Sequence, residues 1–161
     1  MIVKPAGKEE LVKKSRSQDI VIASDHAAFD LKKHLVKHLL KRGHAVIDLG
    51  PRNRKSVPYP AFAQKAAEAV ARGEVPLGIL ICGTGIGMSI AANRYQGVRA
   101  ALVHDAYTAR MAKAHNNANI ICLGARVTGP GVAEDIIDTW LETDFEGGRH
   151  RERLAMIDEE G

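Results

Sequence analysis

Aromatic residues are scarce in this chain: Phe, Trp and Tyr make up 4% of its 161 residues. A core without them must be filled by Ala, Val, Ile and Leu, as it is where helices are laid on a parallel sheet. Cysteine is nearly absent. Cys82 and Cys122 form no CxxC pair and no zinc-type cluster, and two unclustered thiols fit a reducing cytoplasm. No apolar run approaches a membrane span, and the first residues lack the unbroken apolar stretch of a signal peptide. A cytoplasmic protein with no membrane partner is expected. Net charge is only +4. Lys4, Lys8, Lys13, Lys14 and Arg16 against Glu9 and Glu10 put +3 of it in residues 1–18, which leaves +1 for the rest. A nucleic-acid footprint needs a basic face with stacking aromatics, so no nucleic-acid partner is expected.

What is present is alternation. Apolar residues at 45% and charged residues at 26% are ordinary for a globular chain, and the length suits one domain. Residues 1–18 read as an N-terminal extension with at most one helical turn, and 19–161 as a single domain. Ile20-Val21-Ile22-Ala23 is a short apolar strand. The helix after it carries Leu31, Leu35 and Leu39 at four-residue intervals and stops at Gly43. The pattern repeats: strand 45–49, helix 61–72, strand 77–82, helix 88–94, strand 98–103, helix 105–115, strand 119–123, helix 131–142. A charged helical tail starts at Arg149. Five such alternations predict right-handed crossovers and a three-layer, doubly wound, Rossmann-like α/β fold. Its sheet has five parallel strands, followed by the helical tail. In such sheets ligands bind beyond the carboxyl ends of the strands, which draws attention to Ser24-Asp25-His26, to Cys82 through Gly87 and to His104-Asp105.

Cys82-Gly83-Thr84-Gly85-Ile86-Gly87 stands between a strand and a helix. Its glycines free the backbone to turn and to aim N–H groups at an anion. A helix N-terminus lowers a thiol's pKa from about 8.5, so Cys82 is expected to be partly exposed and reactive. A dinucleotide loop fits poorly: the pattern is GxGxG, it follows the third strand, and Met88 takes the third-glycine place. A P-loop fails for want of Lys-Ser/Thr after the glycines. A tight glycine turn beside an inert core cysteine remains a third reading. Cys122, inside Ile120-Ile121-Cys122-Leu123, reads as a packing group.

Other polar residues admit two accounts each. Asp25 is a helix N-cap or, with His26, faces the same crevice as Cys82. His115-Asn116-Asn117 ends a helix or supplies polar groups to a site. His34 and His38 have metal-ligand spacing but stand among lysines without a third ligand, so a solvated face is expected and no metal. Arg149 and Arg153 share one helical face. They form a charged surface or a pair of guanidiniums suited to a phosphate dianion.

Together, SDHAAFDLK, VIDLG, Tyr59-Pro60, GILICGTGIGMSIAANR, AKAHNNANIICLGAR and EGGRHRERL resemble the ribose-5-phosphate isomerase type B and galactose-6-phosphate isomerase family, from about Ile20 to Asp158. The resemblance implies a reversible aldose–ketose isomerisation through an enediolate, without cofactor or metal, in carbohydrate metabolism of the pentose phosphate kind. It implies Cys82 as the base between C1 and C2, with Thr84 and the amides of Gly83, Gly85 and Gly87 as the anion hole. Asp25 and His115 would open the furanose ring. Tyr59 and Asn116 would bind hydroxyls, and His26, Arg126, Arg149 and Arg153 the phosphate. It further implies a homodimer, or a dimer of dimers, with active sites shared between chains. Ribose 5-phosphate is the expected substrate. The alternatives are a hexose 6-phosphate such as that of galactose or allose, a tetrose phosphate, or a non-catalytic sugar-phosphate binding module. Two departures bear on this. Pro58 replaces the family's usual acidic residue before Tyr-Pro, and Met88 stands where some relatives carry a Glu base, which agrees with Cys82 in that role.

Overall fold

A computed structural model describes residues 2–3 and 18–159, with side chains from 18 onward. Twelve elements follow in chain order: β1 Ile2–Val3, β2 Asp19–Ser24, α1 Phe29–Lys41, β3 Ala45–Asp48, α2 Tyr59–Ala71, β4 Leu77–Cys82, α3 Ile86–Ala92, β5 Ala100–Leu102, α4 Ala106–Ala114, β6 Ile120–Gly124, α5 Pro130–Glu142 and α6 Arg149–Glu159. The sheet order is β1-β3-β2-β4-β6-β5. The five strands from β2 to β6 run parallel, as the alternation predicts. The helical turn expected in the extension falls outside the described residues, and Ile2–Val3 pairs antiparallel with β3 as a sixth strand. It covers an edge that would otherwise offer unpaired backbone groups. Residues 4–17 lie outside the described residues.

The period-2 alternation of each strand feeds two cores. Ile20, Ile22, Ile79, Ile81, Ile121 and Leu123 face α1, α4 and α5. Val21, Ala23, Leu80, Ile120 and Cys122 face α2 and α3, whose Ala63, Ala66, Ala67 and Ala92 permit close approach. The sole Trp, Trp140, is fully buried on the first face, and its Nε1 donates to Ala118 O at 3.1 Å. Leu35 and Leu39 are fully buried as well, and each such side chain contributes about 1.5–3 kcal/mol.

The face of α1 that carries His34 is exposed, and it also forms a clasp with α5. His34 Nε2 meets Glu134 at 2.7 Å, His38 Nε2 meets Asp138 at 2.8 Å, and Arg42 meets Glu142 at 2.5 Å. Four-residue spacing on α1 matches four-residue spacing on α5 because the two helices lie side by side on one sheet face. Helix α3 begins two residues earlier than the pattern places it, because Gly85 takes a left-handed φ of 80° and turns the chain at once.

Candidate active site

Strand β4 is central and all six of its residues are buried. It ends at Cys82, the point where chain direction must reverse toward α3. The reversal folds the loop over the sulfur, so Cys82 is only 6% exposed, not partly exposed as its position predicts. Its Sγ accepts a hydrogen bond from the Gly85 N–H at 3.1 Å.

The neighbouring strand ends crowd the same rim. Ser24 of β2 lies in register with Ile81, which puts Asp25 beside Cys82, and Asp25 N donates to Ile81 O at 3.0 Å. Asp25 is buried, and its Oδ1 accepts from Ala28 N at 3.1 Å, so it closes the turn before α1, whose N-cap is Ala28 and not Asp25. Its other carboxylate oxygen remains for chemistry. His26 Nδ1 accepts from Val57 N at 3.4 Å, so the neutral ring carries its proton on Nε2. The Tyr59 ring lies across Gly87, where a Cβ would stand 2.6 Å from its carbons and would push the ring aside. The Arg126 guanidinium comes within 3.1 Å of the Cβ position of Gly83, and Arg126 N donates to Gly83 O at 3.0 Å. Thr84 is exposed, and its Oγ1 accepts from Ile86 N at 3.3 Å, which leaves the hydroxyl proton free to donate. Beside Arg126 opens a cavity of about 560 Å³, lined also by Asp30, His34, Thr128 and Pro130. It is of the size small-molecule sites have. Thr128 Oγ1 is buried there without a hydrogen-bond partner.

His115, Asn116, Arg149 and Arg153 are not at this rim. Helix α4 runs back down the sheet, so His115 sits at the amino ends of the strands. Gly78, at the start of β4, donates to Asn119 O at 2.9 Å, whereas Cys82 pairs with Gly124. Four residues of strand, about 13 Å, separate the levels of Gly78 and Cys82. Around His115 a second group assembles. Its ring stacks on His150, with centroids 4.2 Å apart and planes 10° from parallel. Glu146 Oε2 lies 3.4 Å from His150 Nε2 and 3.7 Å from His115 Nε2. Asn116, Arg149 and Arg153 are exposed nearby on the ends of α4 and α6.

This group is a set of metal-type ligand atoms that the sequence pattern does not place together. His115, Glu146 and His150 bring one ligand atom each within 4.8 Å of one another. Chain separation hid it, because Glu146 follows His115 only after the whole of β6 and α5. The stack limits it as a metal centre. With the rings stacked 10° from parallel, bringing both lone pairs onto one ion requires a ring to turn.

Sequence reasoning also missed Lys32 and Asp48. Lys32 is 2% exposed, and its Nζ sits 2.6 Å from both Asp48 oxygens and 3.0 Å from Pro51 O. The signal was available: Lys32 follows Ala28 by four and precedes Leu35 by three, on the buried face of α1. The pair braces the loop that carries Val57 to His26 and leads into Tyr59.

A sequence model described as Ribose/Galactose Isomerase matches residues 20–157. The chain belongs to this family. It is 46% identical to ribose-5-phosphate isomerase B of Escherichia coli K12 over 138 residues, 86% of this chain and 93% of that one. It is 45% identical over 141 residues to the galactose-6-phosphate isomerase subunit LacB of Clostridium acetobutylicum, 87% of this chain and 82% of that one. The structure of Clostridium thermocellum ribose-5-phosphate isomerase B superposes with a TM-score of 0.86 at 52% identity, covering 88% of this chain and 95% of that one. Membership makes the protein an enzyme of isomerase type on a Rossmann-like fold. Among the described residues no helix is long and apolar enough to cross a membrane.

Proposed function

We propose that this protein interconverts ribose 5-phosphate and ribulose 5-phosphate through an enediolate, with Cys82 as the base. The observation that carries the reading is the Cys82 sulfur facing the Gly85 N–H at the carboxyl end of the central strand. The Cys82 thiolate removes the C2 proton of the open-chain aldose. The C–H electron pair forms the C1=C2 bond, and O1 takes the negative charge. A proton passes from O2 to O1, the Cys82 thiol returns its proton to C1, and C2 becomes the carbonyl. Thr84 and the amides of Gly83 and Gly87 stabilise the oxyanion, to which the Gly85 amide turns from the sulfur as the thiol takes up its proton. Asp25 and His115 open the furanose ring by moving hydroxyl protons. Tyr59 and Asn116 hold hydroxyls, while His26, Arg126, Arg149 and Arg153 anchor the phosphate. The scheme uses neither cofactor nor metal.

One chain cannot bring Cys82 and His115 to one sugar, since they occupy opposite ends of the sheet. We infer a homodimer, alone or paired into a tetramer, in which each copy lends its His115 end to the other's Cys82 rim. The unpartnered apolar side chains support this. Ile86 and Ile90 of α3 are 51% and 57% exposed, and Met156 and Ile157 of α6 are 68% and 61% exposed. Domain 19–161 is the catalytic unit. Two free thiols support a cytoplasmic setting.

The galactose-6-phosphate relative and Pro58, beside the sugar-facing Tyr59, favour a hexose 6-phosphate as the second reading. A panel of C4, C5 and C6 aldose phosphates assayed for ketose formation decides between them. The highest kcat/KM is expected for ribose 5-phosphate. A hexose phosphate in first place supports the second reading, and no ketose from any of them leaves a binding module.

A further inference from the structure

The stacked histidine pair has a third member that the scheme above does not use. Glu146 is tied to the end of α4 through its backbone, its N–H donating to Ala114 O at 3.0 Å. Gly147 and Gly148, at φ 66° and 55°, then turn the chain into α6, and this turn lays His150 against His115. His150 is buried, with only 9% of its side chain exposed, while His115 keeps 38% of its side chain open. The covered ring cannot rotate freely, and a stacked partner 4.2 Å away fixes the plane of the open one. The same Glu146 oxygen lies 3.4 Å from His150 Nε2 and 3.7 Å from His115 Nε2.

We propose that Glu146 is a positioning residue for ring opening. Resting on the reading of His115 as the group that handles hydroxyl protons, it sets which nitrogen of His115 faces the sugar. A carboxylate opposite Nε2 favours the tautomer protonated there, which leaves Nδ1 as the acceptor for the anomeric hydroxyl proton. His150 transmits the same constraint by holding the plane. Acid–base catalysis requires the acceptor within hydrogen-bond reach in one defined orientation, and a mobile imidazole with either tautomer lacks that. Glu146 touches no substrate atom in this arrangement; it acts through the two rings.

The test separates ring opening from enolisation. Ribulose 5-phosphate has no furanose form, because its 5-hydroxyl is esterified. Deuterium wash-in at its C1 in D₂O therefore reports the Cys82 step without ring chemistry. Glu146→Gln keeps shape and removes charge at a side chain that is 57% exposed, so the fold is retained. Turnover of ribose 5-phosphate is expected to fall at least about tenfold, a part of the 10²–10⁴ that positioned acid–base groups supply. Wash-in at C1 should stay within about twofold on the same ground. Equal losses in both measurements, or no loss in either, overturn the role given to Glu146. If the wild-type protein turns over no ribose 5-phosphate at all, the substrate reading fails first. Glu146→Ala should reproduce the split between the two rates, and a split confined to one variant also counts against the proposal.

Discussion

The Gly85 amide reaches the Cys82 sulfur at 3.1 Å from within the same tight loop, whereas Cys122, in the adjacent strand, is wholly buried and has no such donor. Burial pushes the Cys122 thiol far above its ordinary range, and the neighbouring Cys82 adds to the shift.

The two thiols should therefore behave differently. Cys82→Ala is expected to cut turnover at least about 10²-fold with little change in affinity for a product analogue, as loss of a general base does. Cys122→Ala should mainly cost stability, on the order of 1 kcal/mol. Iodoacetamide should label Cys82 slowly, because it is 6% exposed, and Cys122 more slowly still. Mass spectrometry of the labelled peptides checks the order, and wild-type turnover in Cys82→Ala removes it as the base.

Sharing of sites has a direct complementation test. Cys82→Ala and His115→Asn chains are each expected to be inactive as homodimers. Refolded together at equal amounts, they should regain about a quarter of wild-type sites, since half the dimers are mixed and each mixed dimer holds one intact site. Failure to regain activity, with mixed dimers shown by native mass spectrometry, would place both residues' functions within one chain.

Arg149 and Arg153 are exposed and four apart on α6. Replacing either by Ala should weaken binding of the phosphorylated sugar by about 1.5–3 kcal/mol, the worth of a charge-assisted hydrogen bond. The unphosphorylated sugar should be unaffected in the same titration. Equal losses for both sugars would assign the arginines to the fold or the interface.

Lys32 and Asp48 form an ion pair whose ammonium end is almost fully enclosed, at 3% side-chain exposure. Asp48→Ala leaves that charge buried without its counterion and should destabilise the protein by about 3 kcal/mol. The loss should show in the denaturant midpoint. Lys32→Met should cost less, because it removes the charge and keeps the packed stem. A larger loss for Lys32→Met than for Asp48→Ala would contradict the assignment.

The sequence alone determined the layered α/β fold and which polar groups stand at the rim. Alternating strands and helices leave few ways to bury both faces of a parallel sheet. The strand–glycine turn–helix at Cys82 puts its polar groups at a carboxyl end, because every strand in such a sheet points the same way. Tertiary structure decided what depends on elements far apart in the chain. The clasp of His34, His38 and Arg42 to α5 needs two helices to lie side by side. The junction of His115, Glu146 and His150 needs α4 and α6 to end at one place. The burial of Cys82 follows from a loop closing over a sulfur atom, which residue types do not reveal. The separation of Cys82 from His115 was implicit in the order strand, helix, strand, yet it became a constraint on function only when the register fixed both ends of β4 and β6. A group at the foot of the sheet cannot reach its head within one chain, and the proposed sharing of sites between two chains rests on that distance.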